Sequence, residues 1–147
     1  MNAICKFGFQ TTRNVIIEII KRYDLILTNT GLINDRRYQI LTFKDKLGNK
    51  IKHALLFKKE NFHSYGVICN DVGQGETMNV DDYENTLIES ENIYFYYQRS
   101  NNITELKFIS ILDFEKAKAN GKVTRYLNKA DNKWQYLFSE RILKDFN

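Results

Sequence analysis

Apolar side chains recur at helical spacing from Thr12 to Leu27, where Val15, Ile16, Ile19, Ile20 and Tyr23 share one face. This spacing predicts an amphipathic helix started by Thr11 or Thr12 and closed across Asn29 to Gly31. The period then shortens to two. Tyr38 to Lys44 and Ile51 to Lys58 read as a β-hairpin turning through Asp45, Gly48 and Asn49. His63 to Asn70 reads as a third strand, and Asp71 to Thr77, with Gly73 and Gly75, as a loop. Asn79 can cap a helix over Val80 to Glu89, whose first turn carries Asp81 and Asp82 where the helix dipole favours acids. Ile93 to Gln98 and Ile103 to Ile111 form a second strand pair, and a short helix runs from Asp113 to near Gly121. Val123 to Asn128 and Lys133 to Phe138 close the series as a hairpin with Trp134, Tyr136 and Phe138 on one face, and Ser139 starts a last helical turn. The order predicts an α+β domain with a mixed central sheet and flanking helices.

No repeat, low-complexity run or Gly/Ser-rich linker interrupts the 147 residues, so residues 1–147 read as a single domain. An apolar fraction of 43%, with 14% aromatic, is enough to build a core without disulfide or metal staples. Twenty-two basic against eighteen acidic side chains give a net charge of +4 and favour an anionic partner. Cys5 and Cys69 have no zinc-type spacing, which points to two buried thiols in a reducing compartment. No run of about 18 apolar residues occurs, so the expectation is a cytoplasmic protein with no membrane partner. Walker loops, nucleophile elbows and Cys/His zinc sets are absent, which removes the enzyme classes that depend on them.

What remains is oxygen-ligand and cation chemistry. Asp45, Glu60 and Glu76 are carboxylates hard enough for Mg²⁺, and Lys58 is the matching cation for a phosphodiester. Glu76 lies in a Gly-flanked segment just before a helix start, and each of these acids also has an ordinary role as a turn, loop or strand-end residue. Arg36, Arg37, Lys44, Lys46, Lys50 and Lys52 cluster about the first hairpin and, with Lys59 and Arg99, form a candidate phosphate-contacting rim. Tyr94, Phe95, Tyr96 and Tyr97 suit either base stacking or core packing, and core packing is the commoner use. Glu18 falls off the apolar face of the first helix, and His53 and His63 have no third partner in metal-ligand spacing.

The order helix, three strands, helix, strand over Thr11 to Ile111 resembles the core of the restriction-endonuclease-like, or PD-(D/E)XK, superfamily, and more narrowly the small nucleases of archaeal filamentous viruses. The likeness rests on FKDKLGNKIKHALLFKK, on GQGETMN, and on the pair IYFYY and ITELKFISI. It implies a Mg²⁺-dependent nuclease acting on DNA, with Asp45 as the acid ending the second core strand and Lys58 as the lysine of the acid-x-Lys triplet. By analogy it also implies a homodimer. The position two before Lys58 is Leu56, which cannot ligate a metal, so the acid has moved, to Glu60 or Glu76, or the scaffold is a non-catalytic nucleic-acid-binding or protein-interaction module. Glu105-Leu106-Lys107 repeats the acid-x-Lys spacing later than the topology calls for and ranks second.

Overall fold

A computed structural model describes residues 3–29, 38–59, 75–98 and 104–146. Helix α1 spans Ala3–Tyr23 and strand β1 Ile26–Asn29. The hairpin strands β2, Tyr38–Lys44, and β3, Lys50–Lys59, follow. Next come β4, Gly75–Asn79, and helix α2, Val80–Asn85, then β5, Asn92–Gln98, and β6, Thr104–Ser110. Helix α3, Ile111–Ala119, leads to β7, Val123–Asn128, β8, Lys133–Ser139, and the short β9, Lys144–Asp145.

Six strands form one mixed sheet in the order β1-β2-β3-β5-β6-β9, antiparallel except for the β3–β5 pair. A second, three-stranded antiparallel sheet has the order β4-β8-β7. Strand alternation assigns the faces of the large sheet. Leu41, Phe43, Leu55 and Tyr94 point to one side, where Val15 and Ile19 of α1 close a core. Ile40, Ala54, Leu56, Ile93, Phe95 and Tyr97 point to the other and meet Met78, Tyr83, Phe114, Tyr136 and Phe138. That second core is strongly aromatic. Phe138 stands edge-on to Phe95 and Phe114 at centroid separations of 6.1 and 5.6 Å, contacts each worth roughly 0.5–1.5 kcal/mol beyond area burial.

The α+β class and the mixed sheet agree with the sequence reading, and several elements differ in instructive ways. Helix α1 begins nine residues before the expected Thr12 and stops at Tyr23, because Asp24 takes a left-handed φ of 54° and Leu25 turns back into the core. Ile26 and Leu27, expected as the last helical residues, therefore belong to strand β1, paired with β2, while Thr30 and Gly31 of the expected stop lie outside the described residues. Gly75 to Thr77, expected as a loop, belongs to β4. Helix α2 ends at Asn85, and Leu87–Glu89 forms a separate 3₁₀ turn, because Thr86 leaves helical geometry at φ −140°. The expected turn after Ser139 is a 3₁₀ turn, Glu140–Ile142, capped by the Ser139 hydroxyl, which accepts from Arg141 N–H at 3.1 Å. The expected third strand, His63 to Asn70, lies outside the described residues. No helix among them is long and apolar enough to cross a membrane.

Candidate active site

Lys58 stands near the carboxyl end of β3, beside Tyr97 of the parallel β5, and Tyr97 stands beside Glu105 of β6. These three form one lateral row on the face that looks toward the small sheet. Over this row lies β4. Its alternation turns Glu76 and Met78 inward, and Met78 joins the core. Glu76 thus occupies a core-facing position of a strand, directly opposite buried Phe138 on β8, and is 8% exposed.

A carboxylate there requires compensation, since burying an unpaired charge costs several kcal/mol. It is compensated on both oxygens. Glu76 Oε1 lies 2.9 Å from Lys58 Nζ and accepts from Thr77 N–H at 2.9 Å, while Oε2 accepts from the Tyr97 hydroxyl at 2.9 Å. Lys58 also donates to the Thr77 carbonyl oxygen at 2.8 Å. One ammonium therefore ties the large sheet to both the backbone and the side chain of β4. Beyond Lys58 opens a cleft of about 170 Å³, lined also by Tyr38, Leu56, Asn79, Asp82 and Lys133. It lies between the β2–β3 part of the large sheet and the β4–β8 part of the small one, with Lys58 in its wall and Glu76 behind.

Asp45 is not brought to this place. Tyr38 pairs with Leu56 and Lys44 with Lys50, so the turn holding Asp45 lies at the opposite end of the hairpin from Lys58. Eight residues of β3 separate Lys50 from Lys58, about 26 Å at ~3.3 Å per residue. An acid that ends one antiparallel strand sits beside the start of the next, whereas Lys58 is near its finish. The Asp45 carboxylate instead folds its own turn. Oδ1 accepts from Leu47 and Asn49 N–H at 2.9 and 2.8 Å, and Oδ2 from the Asn49 amide at 2.9 Å. The Asn49 side-chain bond, with its backbone bonds, holds the Asp45 pKa below the usual carboxylate value.

Lys44, Lys46, Lys50 and Lys52 share that far end, and two of them are paired: Lys46 with Asp24 at 2.6 Å and Lys52 with Glu89 at 3.4 Å. Arg36, Arg37, Glu60 and Arg99 lie outside the described residues, as does the side chain of Lys59. Glu18 is exposed on α1, across the large sheet from Glu76. Tyr94, Phe95 and Tyr97 are buried and Tyr96 packs against the α1 core, so this run serves packing and, through Tyr97, the Glu76 carboxylate. His53 lies on the α1 side of β3, ringed by Tyr23, Phe43 and Tyr94, and burial alone pushes its pKa down to about 4. His63 is outside the described residues.

The second acid-x-Lys triplet comes closer than its sequence position suggested. Glu105 adjoins Tyr97 in the row, and Lys107 sits 3.8 Å from Glu105 and 3.7 Å from Glu140, an acid only 9% exposed. Glu140 and Tyr97 were not anticipated from sequence. The signal for Tyr97 is its parity with Lys58 across a parallel pair, which becomes readable only once that pairing is known.

The same architecture is found in a solved structure. Over 99% of this chain and 88% of the other, the fold is similar to that of D212, a nuclease from a fusselovirus, with a TM-score of 0.51 and 13% sequence identity. The chain has a nuclease-like fold. No model of a known protein family matches the sequence, and no curated protein does. The likeness lies in how the chain is folded rather than in its residues, so the Glu76–Lys58–Tyr97 constellation has to be argued from its own geometry.

Proposed function

We propose that the protein is a metal-dependent nuclease that hydrolyses DNA phosphodiester bonds at the cleft beside Lys58. The observation that carries this reading is the meeting of Lys58, at the end of a central strand, with a buried carboxylate from a different sheet, on a fold shared with a nuclease. An ion pair whose cation lines an open cleft is suited to receive an anion.

The donor set bears on the metal. Among the described residues, no group of three Asp, Glu, His or Cys side chains comes together. Mg²⁺ can be held by one or two carboxylates together with substrate phosphates and water, so a single well-placed acid meets the minimum. Glu76 Oε1 already accepts from Lys58 and Thr77, while Oε2 accepts from Tyr97 and has a lone pair to spare. Glu76 is thus the residue that would hold the ion. The ion would polarise the phosphate and acidify a bound water.

The remaining chemistry belongs to the chain. Lys58 gives two of its three N–H bonds to Thr77 and Glu76 and has one to offer a phosphate oxygen across the cleft. Tyr97 and Thr77 fix the carboxylate from below, so neither oxygen needs to reorganise when substrate arrives.

Leu56, standing where the triplet acid would be, and the ion pair that engages Glu76 favour a second reading, a scaffold that binds nucleic acid without cutting it. A plasmid-nicking assay separates the two. Under the first, nicking needs Mg²⁺, stops in EDTA, and falls by at least about 100-fold in Glu76→Gln and Lys58→Met, the scale of losing one charge-stabilising group. Nicking that survives EDTA and both substitutions overturns the assignment, and salt-sensitive binding with no nicking supports the scaffold.

A further inference from the structure

The β7–β8 hairpin carries a patch that the proposed hydrolysis leaves unused. Along one face of β8, Phe138 and Tyr136 are buried, and Trp134, next in the same alternation, emerges 48% exposed. Its cross-strand neighbour Leu127 is 37% exposed, and the Arg125 guanidinium lies 5.3 Å from the indole centroid. Lys129 in the turn and Lys133 at the start of β8 are exposed and have no acidic partner among the described residues. The turn's acid, Asp131, accepts from Lys133 N–H at 3.1 Å and so helps shape the turn.

Flat apolar surface interleaved with cations matches a polyanion that also presents flat apolar groups. Duplex DNA offers the phosphates but keeps its base faces inside the stack, whereas a single strand offers both. The location agrees with this. Alternation sends Trp134 to one face of the hairpin and Lys133 to the cleft that holds Lys58 on the other, so a nucleotide chain draped over this end meets the ring and the cleft together.

We propose that the end of the β7–β8 hairpin binds single-stranded nucleic acid, with Trp134 stacking on a base and Arg125, Lys129 and Lys133 contacting phosphates. This deepens the nuclease reading by naming the form of its partner, yet it uses none of the residues assigned to hydrolysis, and either can fail alone.

Trp134 is the single tryptophan of the chain, so its fluorescence reports the contact directly. The full-length protein is titrated with an oligothymidylate and with a duplex of equal charge, both in EDTA so that cleavage cannot intrude. The single strand is expected to quench the fluorescence and to bind more tightly than the duplex. Trp134→Ala should weaken that binding by about 5-fold to about 140-fold, the equivalent of one lost base stack, while Trp134→Phe keeps most of it. The double variant Lys129→Ala/Lys133→Ala should lower the log–log salt slope by about 1.4. Equal quenching by duplex, binding that leaves the fluorescence and the alanine variants unaffected, or no binding at all overturns the proposal. Quenching by a protein that never nicks DNA upholds this surface and removes the hydrolytic reading.

Discussion

Two of the antiparallel hairpins, β2–β3 and β7–β8, both carry basic side chains, and folding treats their charges in opposite ways. In β2–β3 the turn is locked by Asp45, Lys46 pairs with Asp24, and Lys52 with Glu89. Both faces of its strands are buried, one under α1 and the other under the small sheet. In β7–β8 burial is confined to Val123 and to Tyr136 through Ser139, and the turn end projects with Trp134, Leu127 and three cations exposed. The first hairpin sends its open end, with Lys58, to the cleft, and the second brings Lys133 there from beside its turn. Clustering of charge along the sequence therefore does not tell which cations line the cleft, which depends on the strand end that the topology delivers there.

The strongest way to break this comparison is at Lys58. Lys58→Met leaves Glu76 among apolar neighbours without its cation, and the expected cost is about 3 kcal/mol, near the low end for a broken buried pair because Lys58 is 21% exposed. A urea-denaturation midpoint unchanged from the parent would mean that the pair contributes no stability. Lys58→Met/Glu76→Leu should recover part of the loss, since the apolar pair leaves no charge behind.

His53 ranks next and belongs to the first hairpin alone. Its pKa in the folded protein, about 4, lies below the ordinary 6.5, so the unfolded chain takes up the proton first. The stability it permits is intact above pH 6.5 and falls as pH drops toward 4, by about 3 kcal/mol in total at ~1.36 kcal/mol per unit. Neither ring nitrogen has a partner among the described residues, so His53→Phe should flatten this acid limb and raise the melting temperature more at pH 5 than at pH 7.5. Identical pH profiles for the two proteins would show that the ring is not held neutral by burial.

A smaller effect separates the hairpins directly. Lys129→Ala/Lys133→Ala should weaken oligonucleotide binding at low salt several-fold, whereas Lys46→Ala/Lys50→Ala should change it by less than about 2-fold, as expected for exposed charges away from the contact. The reverse ranking would move the nucleic-acid surface to the β2–β3 turn. Smallest of all, Asp45→Ala should lower the melting temperature slightly by loosening the turn while nicking stays at the parental rate.

Much of this architecture was legible because local patterns and the fold agree. The bounds of β2, β5, β7 and β8 follow from two-residue alternation between turn residues, and Asn79 marks a helix start that its side chain indeed caps, accepting from Asp82 N–H at 2.9 Å. β1 was missed because Ile26 and Leu27 continue an apolar run, and only the reversal at Asp24 separates them from α1. β4 was missed because GETMN has little β-propensity of its own and is a strand by virtue of its pairing with β8. Glu76 and Lys58 were both candidates from chemistry alone. Their meeting was not readable, since it depends on a crossover between two sheets. Asp45 was misplaced for a related reason: antiparallel register decides which strand ends are neighbours, and spacing along the chain does not.

Because β4, which lies in sequence between the parallel neighbours β3 and β5, pairs among the described residues with β8, the carboxylate over Lys58 is seated by a strand translated well after β6. A nascent chain halted after β6 has already translated every residue of the β3–β5–β6 row and Glu76 itself, yet lacks β8, the strand whose pairing seats β4. Seating of the Glu76–Lys58 pair is thus coupled to synthesis of β8. A product that stops before β8 carries both residues with β4 unpartnered.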